Sequence, residues 1–96
     1  MIRDTIKQET IAAMKGGNKE RTAALRLIQA KIKDRDIEQR TAKGEVGDDE
    51  LVTDVLMKMA KQRKESIAMY RDGGRDELAA QEEAELAVIE EFLPKQ

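Results

Sequence analysis

Arg63 is the residue that most demands a chemical explanation. It lies in the stretch 48–75, DDELVTDVLMKMAKQRKESIAMYRDGGR, where Val52, Val55, Leu56, Met59, Ile67 and Tyr70 recur at the three- and four-residue steps of one helical face. Arg63 falls on that same stripe, flanked by Gln62 and Ser66, at a place where a leucine would be expected. A guanidinium on an apolar face needs partners, because a buried charge left unpaired costs several kcal/mol. Glu82 and Glu85 supply them on paper, since they share an inward stripe with Leu78 and Ile89 of the next helical segment. The spacing predicts a structural ion pair of Arg63 with Glu82 or Glu85. The other use of such an arginine is to hold a ligand.

A second pattern is basic. Arg26, Lys33 and Arg40 stand seven residues apart and therefore align along one helical face, with Gln29 between the first two. A row of this kind can follow phosphates, because each Lys or Arg contact releases counterions and gives affinity without reading sequence. The plain alternative is a solvated face balanced by Asp36, Glu38 or an acidic neighbour. No aromatic residue interleaves the row, so a base-stacking platform for single-stranded RNA is not expected.

Other chemistries are excluded by residue type. The chain has no cysteine and no histidine. That removes disulfides, thiolate zinc sites, thiol nucleophiles and the commonest general base. Ser66 has no histidine to activate it, and no glycine-rich phosphate loop is present. The acids Glu82, Glu83, Glu85, Glu90 and Glu91 are spread around a helical cylinder and resemble no metal-ligand loop. No catalytic residue, metal or cofactor is expected.

No apolar run approaches a membrane span, and the first eight residues already carry Arg3, Asp4 and Lys7, which argues against a signal peptide. A cytoplasmic protein is the expectation. The net charge of −2 conceals an asymmetry: residues 1–47 hold 11 Lys+Arg against 7 Asp+Glu, and residues 48–96 hold 7 against 13. A basic front and an acidic rear imply either internal charge matching or a basic face offered to an anionic partner.

These residues must be positioned by helices. With Tyr70 and Phe92 the only aromatics, the core has to be built from Ile, Leu, Val, Met and Ala. A first helix is predicted over about Ile2 to Lys15, with Ile2, Ile6, Ala13 and Met14 on one face and Thr10 at its middle. Gly16-Gly17 ends it, and Asn18 caps a second helix running to about Arg40. That second helix has two apolar faces, Ala24, Leu25, Ile28 and Ile32 on one, Ala23, Leu27, Ala30 and Ile37 on the other. It is therefore expected at the centre, sandwiched between partners. After the loop 41–47 comes a long third helix, about 49–72, capped by Asp48 or Asp49 and closed by Gly73-Gly74. A fourth begins near Asp76, with Leu78, Ala79, Leu86, Ile89 and Leu93 inward, and Pro94 ends it. No period-two strand pattern occurs. The fold class is predicted all-α, a four-helix bundle in one domain.

Several short runs together resemble a known family. They are KQRKESI at 61–67, Tyr70, Gly73-Gly74-Arg75, DELA at 76–79, the E-x-x-E-L of 82–86 and EEFLPKQ at 90–96. Earlier in the chain AMK at 13–15, L-R-x-I at 25–28 and IK at 32–33 fit the same pattern. The chain resembles the YqeY-like (GatB/YqeY) family over nearly its whole length. Members have a helical amino-terminal domain and a smaller helical carboxy-terminal one, and are related to the tail of the GatB subunit of the tRNA-dependent amidotransferase. The resemblance implies association with tRNA amidation, in which glutamine is the amido donor of a carbon–nitrogen ligase. It carries over no catalytic residues. The second domain would begin where Pro94-Lys95-Gln96 stand, so this chain is expected to correspond to the first domain only.

The resulting expectation is a helical accessory module linked to tRNA metabolism, without catalysis of its own. Its partners would be tRNA or an amidotransferase-like complex, with no membrane and no DNA. Arg26, Lys33 and Arg40 would contact the RNA backbone, which needs charge rather than base-reading geometry. The alternative is a protein–protein interaction or homo-oligomerisation module unrelated to RNA, built on the second apolar face of the second helix. Independent amidotransferase activity is disfavoured by the lack of a nucleophile–base pair.

Overall fold

The computed structural model describes residues 1–42 and 44–94. Lys43 of the loop, and Lys95 and Gln96 of the EEFLPKQ run, lie outside them. The elements are α1 (Ile2–Lys15), α2 (Lys19–Thr41), α3 (Asp48–Asp72) and α4 (Asp76–Glu90). Among the described residues there is no strand, and the fold is an all-α four-helix bundle.

The turns follow from local chemistry. Gly17 and Gly74 take positive φ, 70° and 73°. There glycine avoids the clash that a Cβ would make with the backbone carbonyl. Each is followed by an amide that bonds back into its helix: Asn18 to the carbonyl of Ala13 at 3.0 Å, and Arg75 to that of Tyr70 at 2.7 Å. Asn18 then opens α2, its side chain accepting from the Arg21 amide at 3.0 Å.

The start of α3 differs from the expectation. Gly47, not Asp48 or Asp49, occupies the capping position, and no side chain caps it. Both aspartates have stronger uses. Asp48 takes the Arg3 guanidinium, and Asp49 accepts the Ile2 amide at 2.9 Å. Their charges still favour the positive end of the helix dipole from within the first turn.

The core is a single aliphatic cluster. It joins Ile6 of α1, Leu25, Ile28 and Ile32 of α2, Val52, Val55, Leu56 and Met59 of α3, and Ile89 of α4. The broadest interfaces are α3 on α4 and α1 on α2, and α2 also touches α3 and α4. Helix α2 thus meets every other helix, but from one side only. Its second apolar face, Ala23, Leu27, Ala30 and Ile37, stays exposed, with Ile37 at 50%. The expected sandwich is not formed, because all three partners gather on the Leu25–Ile28–Ile32 side. Leu78 and Met14, expected inward, are also exposed, although the adjacent Ala79 and Ala13 are buried. Helix α4 also finishes four residues before Pro94, through short turns at Glu91, Phe92 and Leu93.

Candidate functional site

Two clusters of charge stand out. The first sits between α3 and α4, beyond the aliphatic core. Past Met59 on the α3 stripe, Arg63, Ile67 and Tyr70 are only half-buried. Arg63 Nε donates to Glu85 Oε2 at 2.8 Å and lies 3.1 Å from Glu82 Oε2. The structure therefore brings all three residues together. Their side chains retain 15%, 20% and 29% exposure, in the order Arg63, Glu82, Glu85. Burial, and then the hydrogen bond and charge of Glu85, raise the Glu82 carboxyl above its ordinary value, while Arg63 opposes the rise. Two carboxylates thus share one cation. Among the described residues, the Nη groups of Arg63 make no hydrogen bond.

The second cluster is the basic row of α2. Arg26, Lys33 and Arg40 are all exposed. A seven-residue step in a helix advances about 10 Å, so the row is about 20 Å long. Among the described residues no carboxylate oxygen lies within 4 Å of any of the three, whereas Arg3, Arg21, Arg35, Arg63 and Arg71 each have one. Asp36 feels the positive charge of Arg40 at longer range, but its hydrogen bonds go to Arg3. The balancing role expected of Asp36 is therefore committed elsewhere. Arg26 rests on the thioether of exposed Met14, its Nη2 being 3.5 Å from Sδ.

Two arginine junctions were not legible from helical spacing. Arg3 forks onto Asp36 of α2 at 2.8 and 2.9 Å and onto Asp48 of α3, tying three helices at one end of the bundle. These bonds hold the Asp36 carboxyl below its usual range. Arg21 joins Glu9 of α1 and Glu91 beyond α4 at the other end. Their signal, an acid on each of two other segments, is spread over 45 residues for Arg3–Asp48 and 70 for Arg21–Glu91. Residue spacing within one helix carries no trace of it.

A groove of about 1130 Å³ runs between α2 and α4, floored by Ala23, Ala24 and Leu27 on one wall and Ala80, Ala84 and Val88 on the other. A smaller pocket of about 270 Å³ continues it at Leu27, Gln81 and Glu85 and reaches Arg63, Tyr70, Leu78 and Glu82. The small outward side chains of α4 were its only sequence signal. Among the described residues no three acids converge as a metal site, and no helix is long and apolar enough to cross a membrane.

Comparison with known proteins agrees with the pattern of short runs. Altered inheritance of mitochondria protein 41, mitochondrial, from two strains of Saccharomyces cerevisiae, is 28% identical over 88 residues. The match covers 92% of this chain and 46% of the yeast protein, so the chain spans about half the length of the curated relatives it matches. The family model described as Yqey-like protein matches residues 3–96. With four helices in this order and that match over almost every residue, the chain belongs to the YqeY-like family.

Proposed function

We propose that this chain is a helical accessory module of tRNA metabolism, holding the RNA backbone through Arg26, Lys33 and Arg40 and performing no chemistry itself. One observation carries the reading: these are exposed cations without a carboxylate within 4 Å among the described residues, in a chain whose other helical arginines are mostly paired. An unpaired row can neutralise phosphates without first breaking an internal ion pair. The family's relation to the amidotransferase tail supports tRNA as the RNA in question. The chain would work in the cytoplasm on this reading, although the yeast relative carries a mitochondrial name.

The test is binding of unmodified tRNA at two salt concentrations, with an unrelated RNA as control. Three backbone contacts predict a slope of log K against log salt of about −2 to −3. Reversal of all three charges should abolish binding and flatten the slope. Equal affinity for both RNAs, or an unchanged slope in the variant, would overturn the assignment.

A further inference from the structure

We infer that the groove between α2 and α4 docks a basic amphipathic helix from a partner protein, one of whose Lys or Arg side chains enters the pocket beside Glu82, Glu85 and Tyr70. The groove's floor is apolar, with Ala23, Leu27, Ala80, Ala84 and Val88, and its α2 rim carries Lys19, Glu20 and Arg21, of which Arg21 is already paired with Glu9 and Glu91. Small side chains let a third helix approach closely, as alanine does at tight helix crossings. From Ala80 to Val88 the α4 wall is about 12 Å long, or roughly two turns of a docked helix.

Charge decides the kind of helix. Helix α4 has no Lys or Arg, and of its acids Glu82 and Glu85 line the groove and pocket. At the groove's end the pocket holds two carboxylates against one guanidinium, so it is short of one positive charge. Burial first, and then Glu85, raise the Glu82 carboxyl above its ordinary value, with Arg63 opposing the rise. A second cation would relieve the deficit of charge, and the Tyr70 ring on the pocket wall suits a cationic group. An acidic ligand would instead become the third carboxylate in a half-buried space. Among the described residues the Nη donors of Arg63 make no hydrogen bond, and peptide carbonyls of a docked helix end can accept from them. Arg26, Lys33 and Arg40 line neither the groove nor the pocket, so this site and the proposed RNA-contacting residues are distinct.

The test uses the labelled chain and two designed amphipathic helices of alanine and leucine, one with a lysine face and one with glutamate in its place. The lysine peptide should shift the amide signals of Leu27, Tyr70, Ala80, Ala84 and Val88. Ala84→Arg, at an exposed position, should leave the fold intact and remove those shifts. Glu82→Gln with Glu85→Gln should weaken binding at least about tenfold, corresponding to about 1.4 kcal/mol. Helical circular dichroism checks that both variants are folded. The inference is overturned if the glutamate peptide binds equally well, or if shifts fall outside the groove. It also fails if sedimentation shows the chain self-associating in a manner that Ala84→Arg abolishes, because the occupant would then be a second copy.

Discussion

Arg63 of α3 and Glu85 of α4 meet at 2.8 Å through Nε and Oε2, on an α3 stripe that is otherwise apolar. The bond joins α3 to α4 at the edge of the aliphatic core, beside Leu27 of α2. Glu82 approaches the same Nε at 3.1 Å, so loss of the arginine strands two carboxylates rather than one.

Replacement by methionine keeps the stem's volume and removes the charge. Arg63→Met should cost about 2 kcal/mol, because half-buried acids are left unpaired. Adding Glu82→Leu and Glu85→Leu should recover most of that loss, since a well-packed apolar triad replaces the charged one. Urea unfolding of the single and triple variants checks both expectations. A loss below about 0.5 kcal/mol would class the pair with ordinary surface ion pairs.

The pH dependence has two opposed parts. Asp36, held low by Arg3, contributes stability that is present above its ordinary value of 3.8 and lost as pH falls through its lower folded value. Glu82, raised by burial and Glu85, behaves the other way: its contribution is full below 4.5 and is lost as pH rises through its folded value. In Asp36→Asn the stability difference from the parent chain should therefore shrink on acidification. In Glu82→Gln the variant should become relatively more stable as pH rises above 4.5. Urea midpoints measured across this range read both signs.

Core and surface positions on α2 should separate cleanly. Leu25 is fully buried and Ile37 is half exposed. Leu25→Ala should cost about 2–5 kcal/mol through lost transfer energy and the cavity left behind. Ile37→Ala should stay within about 0.5 kcal/mol. Thermal unfolding of the two variants makes the comparison. A large loss at Ile37 would mean that its face is covered in solution.

Gly74 closes α3 at a positive φ, and a Cβ there would meet no atom within 4 Å. Gly74→Ala should therefore cost only the strain of a left-handed alanine, about 1 kcal/mol. Gly73, at negative φ, should accept alanine at smaller cost. Paired denaturation curves test the difference.

The charge-reversed triple variant at Arg26, Lys33 and Arg40 should unfold within about 1 kcal/mol of the parent chain, since all three are exposed and none has a carboxylate within 4 Å among the described residues. Its loss of tRNA binding could then not be ascribed to unfolding. A much larger destabilisation would show that the row has a structural role.

Much of the fold was written in local chemistry. The recurrence of Val52, Val55, Leu56 and Met59, the capping Asn18, and the glycine pairs 16–17 and 73–74 define four helices with little help from tertiary contacts. The same periodicity placed Arg63 on an apolar stripe, because helical spacing alone fixes which side chains share a face. Spacing cannot say which faces will find a neighbour. Helix α2 displays two apolar faces, and only the arrangement of α1, α3 and α4 decided that Leu25 is buried and Ile37 is not. Nor can it pair charges far apart in sequence. Arg3 reaches Asp36 and Asp48, rather than leaving Asp36 to offset the basic row, because three helix ends converge in space. Local periodicity is a property of the chain. Partner choice is a property of how the helices close around their shared core.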